Sequence, residues 1–244
     1  MQSKSFSIKV KNKIRPFKKI IKVDADKSLS IRSFLIGSIC QDVSIANNIL
    51  ESEDVKSTIQ ACKKLGVKIV RLKTGSYKIF GKGLGSLYAK KNLTIDCGNS
   101  GTLGRLLLSI LATTPNIEIN ITGDKSLKKR NMKELIDLMS EFGATFLPKG
   151  KYNFPIKLIS SEMPIGINYQ AGVSAQLKSA VILAGLNSYG ITKILEKNKS
   201  RDHTENLLQK NSQAIKIKKG KEKIISIFGK KNLEPINVLI PGDP

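Results

Sequence analysis

Five short segments of this chain combine hydroxyls, glycine and positive charge in spacings suited to holding an anion. In Asp26-Lys27-Ser28-Leu29-Ser30-Ile31-Arg32, Lys27 and Ser28 stand where an apolar helix begins, and Arg32 projects one turn later on the same side. A helix start offers unpaired backbone N–H groups and the positive end of the dipole, so a phosphate or carboxylate is favoured there. Asn99-Ser100-Gly101-Thr102, followed by Arg105, repeats the arrangement, and Gly101 lets a ligand approach the backbone closely. Ser174-Ala175-Gln176, followed by Lys178, is the third case. Gly123-Asp124-Lys125-Ser126-Leu127-Lys128-Lys129-Arg130 sets cations just before an amphipathic helix, and Ser200-Arg201-Asp202-His203-Thr204 opens another. Serine capping, with cations reaching out to solvent, accounts for each helix start taken singly. Three parallel cases favour an anion, because an arginine inside an apolar helix is costly unless a carboxylate or phosphate meets it.

The elements that carry these residues recur. An apolar helix opens at Ser28, Ser100 and Ser174, at offsets of 72 (100 minus 28) and 74 (174 minus 100). Each is followed by a strand, an amphipathic helix and two more strands. In the first copy these are 28–40, 43–49, 52–65, 67–72 and 77–80; in the second, 100–112, 117–122, 131–142, 144–147 and 154–159. The third runs through 174–186, 191–196, 201–211, 214–218 and 223–228. With leading strands at 19–23, 93–96 and 165–169, each copy reads β-α-β-α-β-β. Gly66 and Gly143 stand where a glycine ends a helix. The first helix of each copy is apolar nearly all round and must be buried on most sides. The expected fold is therefore α/β, three repeated units packed around buried helices with sheets outside.

Composition sets the sign of the partner. Against 19 Asp+Glu stand 42 Lys+Arg, a formal charge of +23, which attracts polyanions, phosphorylated metabolites or acidic membranes. Aromatic residues are 5%, Trp is absent and Lys is spread along the chain, so the stripe and stacking platform of a nucleic-acid binder are not evident. The basic runs 9–22 and 216–223 alternate with apolar residues as solvated strand faces do. Cys40, Cys62 and Cys97 are odd in number and lack metal-ligand spacing, which implies buried, reduced thiols. The longest apolar runs, 106–112 and 180–186, are too short to span a bilayer. Residues 1–17 have no signal-peptide apolar core, so the expectation is a cytoplasmic protein.

Taken in order, these segments resemble the 5-enolpyruvylshikimate 3-phosphate synthase family (3-phosphoshikimate 1-carboxyvinyltransferases), most closely its class II branch. The residues that carry the resemblance are Asp26-Lys27-Ser28 with Arg32, Gly98-Asn99-Ser100-Gly101-Thr102 with Arg105, and Gly123-Asp124 with Ser126-Leu127 and Lys129-Arg130. Further on they are Ser174-Ala175-Gln176-Leu177-Lys178-Ser179-Ala180, Arg201-Asp202-His203-Thr204-Glu205 and the closing Pro241-Gly242-Asp243-Pro244. The resemblance implies one domain of an inside-out α/β barrel, with substrates held in a cleft between two domains. On that basis 1–22 is a strand segment of the other domain, 23–232 a complete substrate-binding domain, and 233–244 the start of the return.

The implied activity is transfer of the enolpyruvyl group from phosphoenolpyruvate to the 5-hydroxyl of shikimate 3-phosphate, with release of phosphate, on the route to chorismate and aromatic amino acids. Implied contacts to shikimate 3-phosphate are Lys27, Ser28, Arg32, Ser174, Ala175, Gln176, Ser200 and Arg201. For phosphoenolpyruvate they are Lys27, Gly101, Arg130 and Gln176, with Asn99, Thr102 and Arg105 in support. No cofactor or metal is implied, nor a nucleic-acid or membrane partner, and the full-length family member is expected to be a monomer. The family's general base lies in a second half that this chain lacks, so the chain is expected to be a fragment, inactive alone, with no catalytic residue of its own. His203 reads as structural. Gly101 is typical of glyphosate-sensitive members, which implies sensitivity, whereas Asn131 stands where many members carry Pro. A related UDP-N-acetylglucosamine enolpyruvyl transferase would show a Lys-Asn pair at the first helix, but Ser28 follows Lys27. A non-catalytic basic module that binds anions or nucleic acid is the alternative of a different class.

Overall fold

In the computed structural model, residues 23–220 and 222–243 are described, together with 7, 9, 11, 13, 16, 18 and 21 singly. The first unit comprises α1 (Lys27–Ile39), β1 (Val43–Asn47), α2 (Glu53–Lys64), β2 (Lys68–Lys73) and β3 (Ser76–Phe80). The second comprises β4 (Thr94–Asp96), α3 (Gly101–Ala112), β5 (Glu118–Thr122), α4 (Lys133–Glu141), β6 (Thr145–Leu147) and β7 (Ile156–Ile159). The third comprises β8 (Asn168–Ala171), α5 (Ala175–Leu186), β9 (Ile191–Glu196), α6 (His203–Leu207), β10 (Ile215–Lys218) and β11 (Lys223–Phe228), and β12 (Asn237–Leu239) follows.

Three four-stranded sheets result, in the orders β12-β1-β3-β2, β4-β5-β7-β6 and β8-β9-β11-β10. Each has one parallel pair at its leading edge and antiparallel pairs beyond. The expected leading strand 19–23 falls mostly outside the described residues. Its place in the first sheet is taken by β12, which runs parallel to β1 with Ile45 opposite Asn237. Leu233, Ile236 and Ile240 around it are buried. β12 starts five residues past the expected boundary at Asn232 (237 minus 232) and belongs to the first sheet.

α1, α3 and α5 form the centre. Buried residues run without a break from Ser30 to Ile39 in α1 and from Leu177 to Leu186 in α5, and in α3 they include every position but Arg105. Their Leu and Ile side chains each contribute about 1.5–3 kcal/mol on burial. The amphipathic α2 and α4 cover them from outside. α2 carries Glu53 and Asp54 in its first turn and Lys63 and Lys64 in its last, matching the helix dipole, and ends before Gly66 at φ +87.

Two sequence expectations are corrected. The helix expected at 201–211 is only the five-residue α6, and the chain then turns so that Asn211 Oδ1 accepts the Glu234 N–H at 2.7 Å. The strand expected at 165–169 is displaced to β8, because Gly166 lies against the backbone of Ile191, where no side chain fits, and Ile165 keeps only an isolated bridge to Tyr189.

Candidate functional site

The three buried helices begin on capping residues at one spacing. Asp26 Oδ1 accepts the Leu29 N–H at 2.6 Å, Ser100 Oγ that of Leu103 at 3.2 Å and Ser174 Oγ that of Leu177 at 3.3 Å. The caps are 74 residues apart in both steps (100 minus 26, 174 minus 100). Ser28 is therefore not the cap of α1, as its alignment with Ser100 implied, but its second residue, half-buried. Counted from the caps, Arg32, Arg105 and Lys178 come six, five and four residues on, and their surroundings differ accordingly.

Arg105 and Arg130 converge on Gly101. A Cβ there would lie 2.5 Å from Arg130 Nη1 and 2.9 Å from Arg105 Nη1, so only glycine leaves both guanidinium groups in place. Arg105 Nη1 donates to Gln176 Oε1 at 2.9 Å, and Gln176 Nε2 donates to Thr102 Oγ1 at 3.2 Å, which joins α3 to α5 and fixes the amide. Arg130 Nη2 donates to Asn99 Oδ1 at 2.8 Å. Burial, and then the charge of Arg130, lower the pKa of Arg105. No carboxylate among the described residues forms an ion pair with either arginine. A cavity of ≈ 370 Å³ opens beside Arg105, Gln176 and Ser174, bounded by the start of α4.

Arg32 forms a second cluster. It is 3% exposed and donates from Nε to Thr204 Oγ1 at 3.0 Å, from Nη2 to Ser179 Oγ at 3.2 Å and from Nη1 to the Ser28 carbonyl at 3.2 Å. Burial pushes its pKa down to about 10, with Asp26 and Glu205 opposing and Arg201 reinforcing the shift. His203, half-buried at the start of α6, has its pKa lowered by burial and by the nearby Arg32 and Arg201, which favours the neutral ring.

The other expected residues are distributed less evenly. Lys27 is turned toward Asp54 of α2 at 3.1 Å. Ala175 is the half-buried first residue of α5, and Arg201 is exposed. Ser200 points inward: its N–H and its hydroxyl donate to Glu196 Oε1 at 2.9 and 2.8 Å. Lys178 is the clearest departure. It is wholly buried between Glu196 and Glu205, at 2.7 and 2.8 Å, and is committed to them rather than to a ligand. Glu196, Thr204, Glu205 and Lys223 were not singled out individually from sequence. The signal available was that a buried lysine requires carboxylates, and the apolar surroundings of Lys178 placed it in the core. The cysteines are buried with pKa values raised by that burial, to about 12 for Cys40 and Cys97 and about 11 for Cys62, which leaves inert thiols.

The family model described as "EPSP synthase (3-phosphoshikimate 1-carboxyvinyltransferase)" matches residues 11–244. The 3-phosphoshikimate 1-carboxyvinyltransferase of Ruegeria sp. (strain TM1040) is 37% identical over 231 residues, covering 94% of this chain and 51% of the relative. That of Novosphingobium aromaticivorans is 38% identical over 234 residues, covering 94% and 52%. A solved EPSP synthase from Acinetobacter baumannii superposes with a TM-score of 0.82 at 34% identity, covering 91% of this chain and 49% of that one. This chain thus spans about half the length of the relatives it matches. With the family model matching residues 11–244 and these relatives at 34–38% identity, the chain belongs to the EPSP synthase family.

Proposed function

We propose that this chain supplies one wall of the cleft in which 3-phosphoshikimate 1-carboxyvinyltransferase moves the enolpyruvyl group of phosphoenolpyruvate onto the 5-hydroxyl of shikimate 3-phosphate. The observation that carries the reading is the convergence of Arg105 and Arg130 on Gly101, with no carboxylate to pair them among the described residues. Two guanidinium groups held together call for an anion between them. On this reading Arg130, Gly101, Gln176 and Lys27 receive phosphoenolpyruvate, supported by Asn99, Thr102 and Arg105. Shikimate 3-phosphate is met by Lys27, Ser28, Arg32, Ser174, Ala175, Gln176, Ser200 and Arg201.

The chemistry of these groups is positioning and charge stabilisation. Forked guanidinium donors orient a phosphate in two directions at once and stabilise the charge that collects on it as it leaves. The fixed Gln176 amide presents one geometry, which favours a single approach of the two substrates. We assign no proton-transferring base within this chain. Lys27 exchanges Asp54 for ligand, an inexpensive step because the pair is solvent-exposed on the lysine side. The reading makes small phosphorylated metabolites in the cytoplasm the partners of the net positive charge, with residues 1–22 contributing to the other wall.

Calorimetric titration of this chain with shikimate 3-phosphate, with shikimate as the comparison, tests the proposal. Saturable binding of the phosphate ester, weakened at least about tenfold by Arg32→Met, is the expected result, in line with loss of a charged hydrogen-bonding group. Equal affinity for shikimate and its phosphate would sink the reading.

A further inference from the structure

Four charged groups lie together in the third unit, away from the arginine pair. Lys178 of α5, Glu196 at the end of β9 and Glu205 of α6 have side chains at most 1% exposed, and Lys223 at the start of β11 is 20% exposed. Lys178 Nζ lies 2.7 Å from Glu196 Oε1 and 2.8 Å from Glu205 Oε1. Lys223 Nζ lies 3.1 Å from Glu196 Oε2 and 3.1 Å from Glu205 Oε1. Two cations offset two anions. Such an arrangement is a weak source of stability, because desolvating each ion costs several kcal/mol and apolar side chains of equal volume commonly serve as well.

What the network supplies that apolar packing does not is a fixed acceptor for a loop. Residues 197–202 connect β9 to α6, and Lys197, Asn198, Lys199 and Arg201 are exposed. Within this stretch both donors of Ser200 are held by one buried oxygen, Glu196 Oε1. The far side of the loop is held too: Glu205 is paired to Lys178 and Lys223, and Thr204 Oγ1 bonds Arg32 and Ser179. The carboxylate of Glu196 is itself immobilised by lysines from α5 and β11.

We infer that Glu196 is a positioning residue: as a buried acceptor clamped by Lys178 and Lys223, it holds the Ser200–Arg201 segment beside Arg32 and so preforms an anion-binding arm. The inference rests on the reading of that arm as a contact for shikimate 3-phosphate. It also changes the part assigned to Ser200. Its hydroxyl proton is engaged by Glu196, so Ser200 acts through placement of the loop, and Arg201, exposed and adjacent, is the group left to meet the ligand.

Two substitutions separate this role from charge and from plain stability. Glu196→Gln removes the charge and keeps the acceptor; Glu196→Leu removes both. Each is titrated with shikimate 3-phosphate under conditions where circular dichroism shows the chain folded. The expected outcome is a loss of about tenfold or more in affinity for Glu196→Leu, equivalent to the two hydrogen bonds to Ser200, and no more than about threefold for Glu196→Gln. A purely electrostatic role predicts the opposite sign, since deleting a negative charge tightens an anion, and a purely structural role leaves the affinity of folded molecules unchanged. Tightening, no change, or equal loss in both variants overturns the inference. Amide hydrogen exchange at Ser200 in the unsubstituted chain decides the matter if neither variant folds or if no ligand binds. Protection well above that of exposed Lys197 and Lys199 is expected, and exchange as fast as theirs overturns it. Failure of the unsubstituted chain to bind shikimate 3-phosphate counts against the site reading, and Ser200 protection still tests the anchor.

Discussion

Gly101 is the position where a single methyl group has the most direct effect. Gly101→Ala places a Cβ against the tips of Arg130 and Arg105, which are flexible ends that can move, so the fold is retained while the arginine pair is pushed apart. The expected result is a thermal midpoint within a few degrees of the unsubstituted chain and about tenfold weaker binding of phosphoenolpyruvate, read by calorimetry. Lys178→Met acts in the opposite sense. It leaves Glu196 and Glu205 sharing Lys223, and removal of one member of a buried pair costs about 3–5 kcal/mol, measurable by urea unfolding. The same group gives a pH dependence. Burial acts to raise the pKa of Glu196, but hydrogen bonds from Lys178, Ser200 and Lys223 prevail and lower it from 4.5 to about 2. The folded chain then binds fewer protons than the unfolded one in that window, so stability rises with pH there. Its contribution is complete above about pH 4.5 and is lost as pH falls toward 2, and the acid limb of a stability–pH curve should flatten in Glu196→Gln.

The elements divide into those that build the centre and those that aim side chains from it. α1, α3 and α5 are apolar on all sides, so their direction is set by packing and their first turns arrive together at one end. At that end Asp26, Ser100 and Ser174 occupy one N–H each, and on the proposed reading other N–H groups of these first turns face ligand. β12 is the element with the least obvious part. It supplies the parallel edge strand of the first sheet, with Leu233, Ile236 and Ile240 buried around it, and Ser44 Oγ accepts the Ile236 N–H at 3.0 Å. Leu233→Ala should therefore destabilise by about 2–5 kcal/mol, as for other buried leucines. A chain ending at Asn232 should lose more, and thermal denaturation followed by circular dichroism checks both.

The sequence carries 42 basic residues along its whole length, while among the described residues the arginines that form no ion pair, Arg32, Arg105, Arg130 and Arg201, lie near helix starts. Dispersed charge attracts anions in general, and a shaped cluster selects one. The two contributions separate with ionic strength. Binding of shikimate 3-phosphate should weaken only modestly between 50 and 200 mM salt, about the range over which a polyanion held by many phosphate contacts loses 10³-fold or more. A steep loss for the small ligand would mean that the cluster does not form a defined pocket.

Much of this architecture was legible because its rules are local. Continuous apolar helix-length runs marked α1, α3 and α5, glycine stops marked the ends of α2 and α4, and the near-constant spacing marked the repeat. Arg105, Gln176, Gly101 and Arg130, which the structure brings together, all lie in segments that their residue types single out in the sequence. Pairing between distant residues was not legible. Ser28 reads like Ser100 until the cap is seen to be Asp26, and Lys178 reads like Arg105 until Glu196 and Glu205 fold over it. The leading strand of the first unit was read at 19–23, whereas the parallel neighbour of β1 is residues 237–239. Spacing along the chain determines which side chains share a helix face, since that depends on backbone geometry alone. Which carboxylate neutralises which buried cation, and which strand closes which sheet, depends on segments that meet only when the chain is packed, and the cost of an unpaired buried charge then selects among them.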